Sequence, residues 1–145
     1  MTNQSDTPET IRGEGGCACG EIRYAFHGKP VFTAHCHCRD CQRASGAGAA
    51  TVMAVPAEGF GVLRGHPKSY DSRGDSGQYV RRFFCGTCGS PLFSQAQVMP
   101  EVRFVRAVSL DDPSWVQPTA HIYCISAQPW DAMDDTLARF ERLPS

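Results

Sequence analysis

The sequence has no excess of positive charge and no long hydrophobic run. Lys and Arg total 14 against 15 Asp and Glu, so the formal net charge is −1. No domain-wide basic surface is expected to collect phosphates, which argues against nucleic-acid binding. The longest apolar run, residues 47–56, is far too short to cross a bilayer, which argues against membrane insertion.

The N-terminus also lacks the features of a signal peptide. Its first ten residues, MTNQSDTPET, are polar and acidic, with neither a basic start nor an apolar stretch. We predict a disordered tail over residues 1–12, a single domain over residues 13–145 and a location in the cytoplasm.

Eight cysteines in a chain without a secretion signal require an explanation. Disulfide frameworks are rare in a reducing compartment, where clustered cysteines more often bind metal. Seven of the eight lie in C-x-C or C-x-x-C groupings, and isolated buried thiols do not show such spacing. The sequence therefore predicts metal sites.

Short segments with alternating polar and apolar residues, separated by Gly and Pro, predict a mainly antiparallel all-β domain. Helix signals are few, and we expect one or two short helices, at residues 39–44 and 134–140. The predicted strands cover residues 21–26, 31–34, 50–55, 62–63, 78–84, 91–94, 102–108 and 121–125.

Two cysteine pairs predict a closed four-thiolate zinc site. Cys85-x-x-Cys88 has the spacing of a zinc knuckle and provides two of the four tetrahedral ligands. Cys17-x-Cys19 is the other free pair. Joining the two pairs would pin the N-terminal strand to a late hairpin, so the site would stabilise the fold.

The remaining cluster, Cys36, Cys38 and Cys41, offers only three thiolates. Three protein ligands leave zinc one open position, which is the arrangement of catalytic sites. Cys124 is the main rival for that position, and His35, His37 and His121 are further alternatives. On a strand, His35 and His37 point away from Cys36 and Cys38, which argues against them. If one of these residues closes the site, both zinc ions are structural.

The sequence resembles the glutathione-dependent formaldehyde-activating enzyme family, whose domain is shared with centromere protein V. The similarity spans about residues 15–140. It rests on residues 16–24 (GCACGEIRY), 36–43 (CHCRDCQR), 84–92 (FCGTCGSPL) and 118–123 (PTAHIY), the last followed by Pro129 and Trp130.

The resemblance implies a β-tent fold of small sheets and two zinc ions per chain. It implies a structural zinc on Cys17, Cys19, Cys85 and Cys88 and a catalytic zinc on Cys36, Cys38 and Cys41. It also implies a carbon–sulfur lyase that adds the glutathione thiol to formaldehyde, giving S-hydroxymethylglutathione.

Several functional alternatives stay open at this point. The protein could instead be a glutathione carrier without catalysis, or an interaction module in which both zinc ions only build the fold. Arg39 and Arg43 are the candidate glutathione-binding residues, because they and His37 lie next to the open cluster in sequence and could attract carboxylates.

Overall fold

The computed structural model describes residues 10–74 and 76–144, which form two β-sheets and one α-helix, α1 (Arg39–Ser45). Three further segments are short 3-10 turns. The strands are β1 (Ile11–Gly16), β2 (Arg23–Gly28), β3 (Phe32–Cys36), β4 (Ala50–Pro56), β5 (Phe60–Arg64), β6 (Lys68–Arg73), β7 (Tyr79–Phe84), β8 (Pro91–Ala96), β9 (Val102–Arg106), β10 (Ala120–Ile122) and β11 (Ala138–Arg139).

The smaller sheet has three strands in the order β1-β2-β5, and the larger has eight in the order β11-β10-β3-β4-β9-β8-β7-β6. Pairing is antiparallel except at β10, which runs parallel to both β3 and β11. Neither sheet closes into a barrel. The predicted all-β tent is therefore confirmed, although one of its sheets is larger than expected.

The three-stranded sheet packs on one face of the eight-stranded sheet and forms the main core. Tyr24 and Phe26 of β2 meet Met53, Val55 and Val105 of the larger sheet, and all five are at most 3% exposed. Successive side chains of a strand point to opposite faces, so Val52, which directly precedes Met53 on β4, faces the other way. That opposite face carries a second core cluster, which includes Cys36 and Cys41.

Several predicted elements differ from the structure. The predicted helix at residues 134–140 is wrong: Asp134 accepts hydrogen bonds from Thr136 in a turn, and strand β11 follows. The strand predicted at residues 121–125 ends at Ile122, because Tyr123 adopts a left-handed conformation with φ 55° and a 3-10 turn begins at Cys124.

The predicted tail over residues 1–12 extends too far. Ile11 and Arg12 pair with Gly28 and His27 in the first hairpin. The rest of the predicted tail, residues 1–9, lies outside the described residues.

Candidate metal centres and cleft

The four cysteines of the two predicted pairs come together at the junction of the two sheets. Cys17 and Cys19 lie in the β1–β2 turn, and Cys85 and Cys88 lie in the β7–β8 turn. All four sulfur atoms lie within 4.8 Å of one another. The site therefore joins a hairpin of the small sheet to a hairpin of the large one, as the sequence predicted.

The sulfur spacing fits a tetrahedral zinc ion. Cys19 Sγ lies 3.6 Å from Cys17 Sγ and 3.7 Å from Cys85 Sγ. Zinc–sulfur bonds of about 2.3 Å place tetrahedral sulfurs roughly 3.8 Å apart, so these distances are the expected ones. None of the eight cysteines forms a disulfide.

Backbone groups support this four-sulfur cluster. The Ile22 amide donates to Cys17 Sγ at 3.2 Å, and the Thr87 amide donates to Cys85 Sγ at 3.4 Å. Hydrogen bonds with Ser90 lower the pKa of Cys88 to about 5. Gly89 ends the knuckle at φ 81°, a conformation that side-chain-bearing residues rarely adopt. These donors stabilise thiolates, which are the form that binds metal.

The second cluster is built by the end of a strand and the start of a helix. Cys36 is the last residue of β3, Cys38 is the N-cap of α1, and Cys41 lies in the first turn of that helix. The Cys41 amide donates to Cys38 Sγ at 3.3 Å, so the capping interaction also orients a candidate metal ligand.

The three sulfurs of this cluster also lie within 4.8 Å of one another. Within residues 10–74 and 76–144, no fourth His, Cys, Asp or Glu ligand atom belongs to the group, so neither Cys124 nor a histidine completes it. This donor set fits zinc with one position left for another ligand.

The histidines predicted as alternatives face away from the cluster. His37 Nε2 lies 2.9 Å from His121 Nδ1, His35 Nδ1 lies 2.8 Å from Thr51 Oγ1, and the His37 ring approaches Asp131 at 3.8 Å. Burial and the neighbouring His121 lower the pKa of His37. The His37 ring is therefore directed at His121 and Asp131 and not at the three-cysteine cluster, contrary to the sequence interpretation.

Hydrogen bonds from the buried Gln42 side chain hold the segment that carries the three thiols in place. Its Nε2 donates to the His37 carbonyl at 2.6 Å and to the Ser126 carbonyl at 3.0 Å, while its Oε1 accepts from Gln128 Nε2 at 3.0 Å. The cysteine loop is thereby held against the segment that follows β10.

Two buried arginines, missed by the sequence reasoning, lie at the three-cysteine cluster. Arg82 of β7 is 8% exposed, and its Nη2 lies 3.9 Å from Cys41 Sγ. Arg106 of β9 is 7% exposed, and its charge also acts on Cys41. Hydrogen bonds with Cys36 and Cys38, aided by the two arginines, lower the pKa of Cys41 to about 3.

The two arginines predicted from their proximity in sequence, Arg39 and Arg43, line different cavities. Arg39 donates to Gln42 Oε1 and lines the same cleft as the three thiols. Arg43 lines a neighbouring cavity of about 280 Å³, together with Arg82 and Arg106. Of these two predicted residues, only Arg39 lines the cleft that contains the cysteines.

The cleft has a volume of about 460 Å³ and combines the thiols with charged and apolar side chains. Among the described residues, four arginines line it against a single acidic residue, Asp40. Its other lining side chains are largely apolar. The arginines are Arg39, Arg73, Arg82 and Arg142, and the apolar residues include Val52, Val80, Ala96, Phe104 and Ile122.

Tyr123 also lines this cleft, and it is the one non-glycine residue with positive φ in the described part of the chain. Such a conformation costs about 1–2 kcal/mol and persists only where its surroundings impose it. It turns the chain after β10, so that Ile125 and Ser126 reach the cleft.

No helix of the described residues has the length and apolarity needed to span a membrane.

The chain is similar in sequence to a known protein family. The sequence profile described as "Glutathione-dependent formaldehyde-activating enzyme" matches residues 12–126, which include all seven clustered cysteines. No curated protein matches the chain.

A solved structure has a similar fold. A structural-genomics protein from Rhodobacter sphaeroides aligns with a TM-score of 0.56 and 22% identity, covering 72% of this chain and 91% of the other. At this identity the likeness concerns the fold alone.

Proposed function

Because the chain belongs to the glutathione-dependent formaldehyde-activating enzyme family, we propose that it is a zinc-dependent carbon–sulfur lyase that promotes addition of the glutathione thiol to a small aldehyde. The observation that carries the proposal is the group of three thiols, without a fourth protein ligand in the described residues, on an arginine-lined cleft.

The chemistry of both cysteine clusters suits zinc. We assign a structural zinc to Cys17, Cys19, Cys85 and Cys88, and a catalytic zinc to Cys36, Cys38 and Cys41. At the second site the ion would supply an open, Lewis-acidic position at which a substrate thiol is held as the more nucleophilic thiolate. The location in the cytoplasm, where thiols remain reduced, is part of the proposal.

Arg82 and Arg106 would balance the charge of the substrate-bound site. Three thiolates around a divalent ion leave a charge of −1, and a fourth thiolate makes it −2. Buried excess charge requires nearby cations or donors. Two buried guanidinium groups beside Cys41 supply two positive charges, so the thiolate-bound state is close to neutral.

The arginines at the mouth suit the rest of glutathione, which carries two carboxylates. Arg39 and Arg73 line the cleft together with the thiols, and Arg donates to carboxylates with a rigid, bidentate geometry. We propose that Arg39 contacts the tripeptide directly. Arg43, which lies at the adjacent cavity, would act on it only at longer range.

The reaction conserves all atoms of its two substrates. The sulfur forms a bond with the aldehyde carbon, the carbonyl π electrons move to oxygen, and that oxygen takes up a proton. The proton lost when the thiol ionises balances this uptake. The product is an S-(1-hydroxyalkyl)glutathione, and the reverse reaction breaks the same carbon–sulfur bond.

The test is the rate of adduct formation from glutathione and formaldehyde, measured by NMR exchange spectroscopy against the uncatalysed rate in the same buffer. We expect acceleration by the wild type and by Cys124→Ser, whose cysteine lies outside both clusters. Cys41→Ser should reduce the rate to background.

Two outcomes would contradict the proposal. Glutathione binding without acceleration would make the protein a carrier. Absence of both binding and acceleration, with zinc present, would leave an interaction module whose zinc ions only stabilise the fold.

A further inference from the structure

One wall of the cleft is largely apolar and adjoins the three thiols. It is formed by side chains on the face of the eight-stranded sheet opposite the main core. The register shows this arrangement: Val80 pairs with Ala96, Ala54 with Phe104, and Cys36 with Ile122. The wall residues are Val52, Val80, Ala96, Phe104 and Ile122.

This apolar wall begins at the cysteine cluster itself. Ile122 lies directly beside Cys36 in the parallel pair β10–β3, and neighbouring strands are about 4.8 Å apart. On β7, Val80 shares a face with Arg82, two residues and about 6.6 Å along the strand. Apolar wall residues therefore lie next to both Cys36 and the charged Arg82.

The apolar lining extends to the rim of the cleft, where it meets water. Val98 is 52% exposed and Ile125 is 54% exposed, and Met99 and Leu143 also line the cleft. A contiguous apolar surface beside a polar site is characteristic of a ligand-binding surface, whereas scattered single apolar residues are not.

Neither of the two proposed substrates carries an apolar group that complements this wall. Formaldehyde carries only hydrogen on its carbonyl carbon, so its adduct adds one hydroxymethyl group to the sulfur. Glutathione is polar, and its two carboxylates match the arginines. A substrate group that complements the wall must be apolar and must be attached next to the reacting sulfur.

We propose that the preferred aldehyde carries an apolar substituent of several carbons, which lies along the wall formed by Val52, Val80, Ala96, Phe104 and Ile122. This inference rests on the proposed function, because the substituent is placed by the carbon–sulfur bond formed at the cysteine cluster. The overall reaction remains glutathione plus aldehyde giving the S-(1-hydroxyalkyl) adduct, with no other co-reactant.

The first experiment tests the wall without requiring turnover. The affinities of S-methyl-, S-butyl- and S-hexylglutathione for the zinc-loaded protein are measured by calorimetry. Each methylene buried against the wall should strengthen binding by up to about four-fold. The second experiment compares kcat/KM for glutathione with formaldehyde, butanal and hexanal, and we expect a rise with chain length.

A pair of exposed valines provides matched variants. Val98→Ser removes a rim contact and should reduce the S-hexyl to S-methyl affinity ratio by roughly three-fold. Val108→Ser is the same substitution at a position that is 76% exposed and outside the cleft, and it should leave the S-hexyl to S-methyl affinity ratio unchanged. Both positions are on the surface, so neither substitution should impair folding.

The outcomes separate this inference from the proposed function. Turnover of formaldehyde with no dependence on chain length in either experiment would overturn the inference and leave the proposed function intact. Chain-length-dependent binding without turnover of any aldehyde would support the apolar wall as a ligand surface and refute the lyase.

Discussion

Replacing Arg82 with glutamine should weaken glutathione binding to the zinc-loaded protein by about 30-fold. The substitution removes a buried positive charge and the hydrogen bond from Arg82 Nη1 to Ser72 Oγ at 2.6 Å, but keeps a polar side chain at this position. The fold should therefore survive, while the negative charge of the substrate thiolate loses its compensation.

The magnitude follows from the position of Arg82. Its Nη2 lies 3.9 Å from Cys41 Sγ, and the fourth vertex of a zinc tetrahedron lies roughly 3.8 Å from that sulfur. The guanidinium is thus roughly 4–8 Å from a bound substrate sulfur. At an effective dielectric constant of about 20, this separation corresponds to about 2–4 kcal/mol. Because the cleft opens to water, we take the lower value, and 2 kcal/mol is about 30-fold in affinity.

Calorimetric titration with glutathione at low and high ionic strength measures the effect. Arg82 is 8% exposed, so salt should screen its contribution little, and the loss should persist at high ionic strength. Arg82→Lys keeps the charge and should recover part of the affinity. Elemental analysis of each variant verifies that zinc is retained.

Arg81→Gln is the matched control. Arg81 neighbours Arg82 on the same strand, but it faces the other way and pairs with Asp71 at 2.7 Å. We expect no change in glutathione affinity for this variant. If Arg82→Gln binds glutathione as tightly as Arg81→Gln does, Arg82 does not compensate the charge and the reasoning is refuted.

The remaining predictions concern metal content, stability and the outer arginines. Protein made under reducing, metal-replete conditions should contain about two zinc ions per chain, and one or none by elemental analysis would contradict the two-site assignment. Cys85→Ser should unfold the chain, because the free energy of zinc binding at a structural site contributes directly to folding. Cys41→Ser should leave a folded domain with one weakened zinc site. Equal losses of thermal stability in the two variants would disprove the assignment of one structural and one catalytic zinc. Burial raises the pKa of Tyr24 to about 12, so the unfolded chain loses this proton near pH 10 while the folded chain keeps it. Stability should therefore fall by about 2–3 kcal/mol between pH 10 and 12, and Tyr24→Phe should remove that part of the slope in denaturant titrations. Arg39→Ala should weaken glutathione binding at both low and high ionic strength, and Arg43→Ala only at low ionic strength; unchanged affinity in both would remove these arginines from the site.

Most strands could be predicted because their alternating patterns reflect one buried and one exposed face. The pattern fails for β1 (IRGEGG) and β6 (KSYDSR), which the sequence reasoning missed. Each is the edge strand of its sheet. Their sequences are mostly glycine or polar, so they show no period of two to detect.

The helix predicted at residues 134–140 fails for a different reason. The segment has helix-compatible residues, but Asp134 caps a local turn and the chain then joins the sheet edge as β11. Its short parallel pairing with β10 depends on a neighbour that is distant in sequence. Local propensity is a weak guide where such tertiary contacts decide.

The charged residues at the three-cysteine cluster likewise depend on contacts between segments that are distant in sequence. Proximity in sequence pointed to Arg39, Arg43 and His37, whereas the structure brings Arg82 and Arg106 to Cys41. The sequence did contain a signal for these two buried arginines. Both occupy an otherwise apolar side of an alternating strand, after Val80 in one case and after Val102 and Phe104 in the other. A charged residue at such a position is costly unless it has a partner.

The sequence alone determined which thiols are local neighbours: the pairs Cys17/Cys19 and Cys85/Cys88, and the triplet Cys36, Cys38 and Cys41. The reason is local: C-x-C and C-x-x-C spacings bring sulfurs together within a single turn, whatever the rest of the chain does. The tertiary structure decided what surrounds the open cluster. The arginine pair, the apolar wall and the turned-away histidines come from six different strands and, for His37, from the loop after β3. Their meeting depends on sheet order and register, which arise from packing among segments far apart in the chain and leave no local pattern.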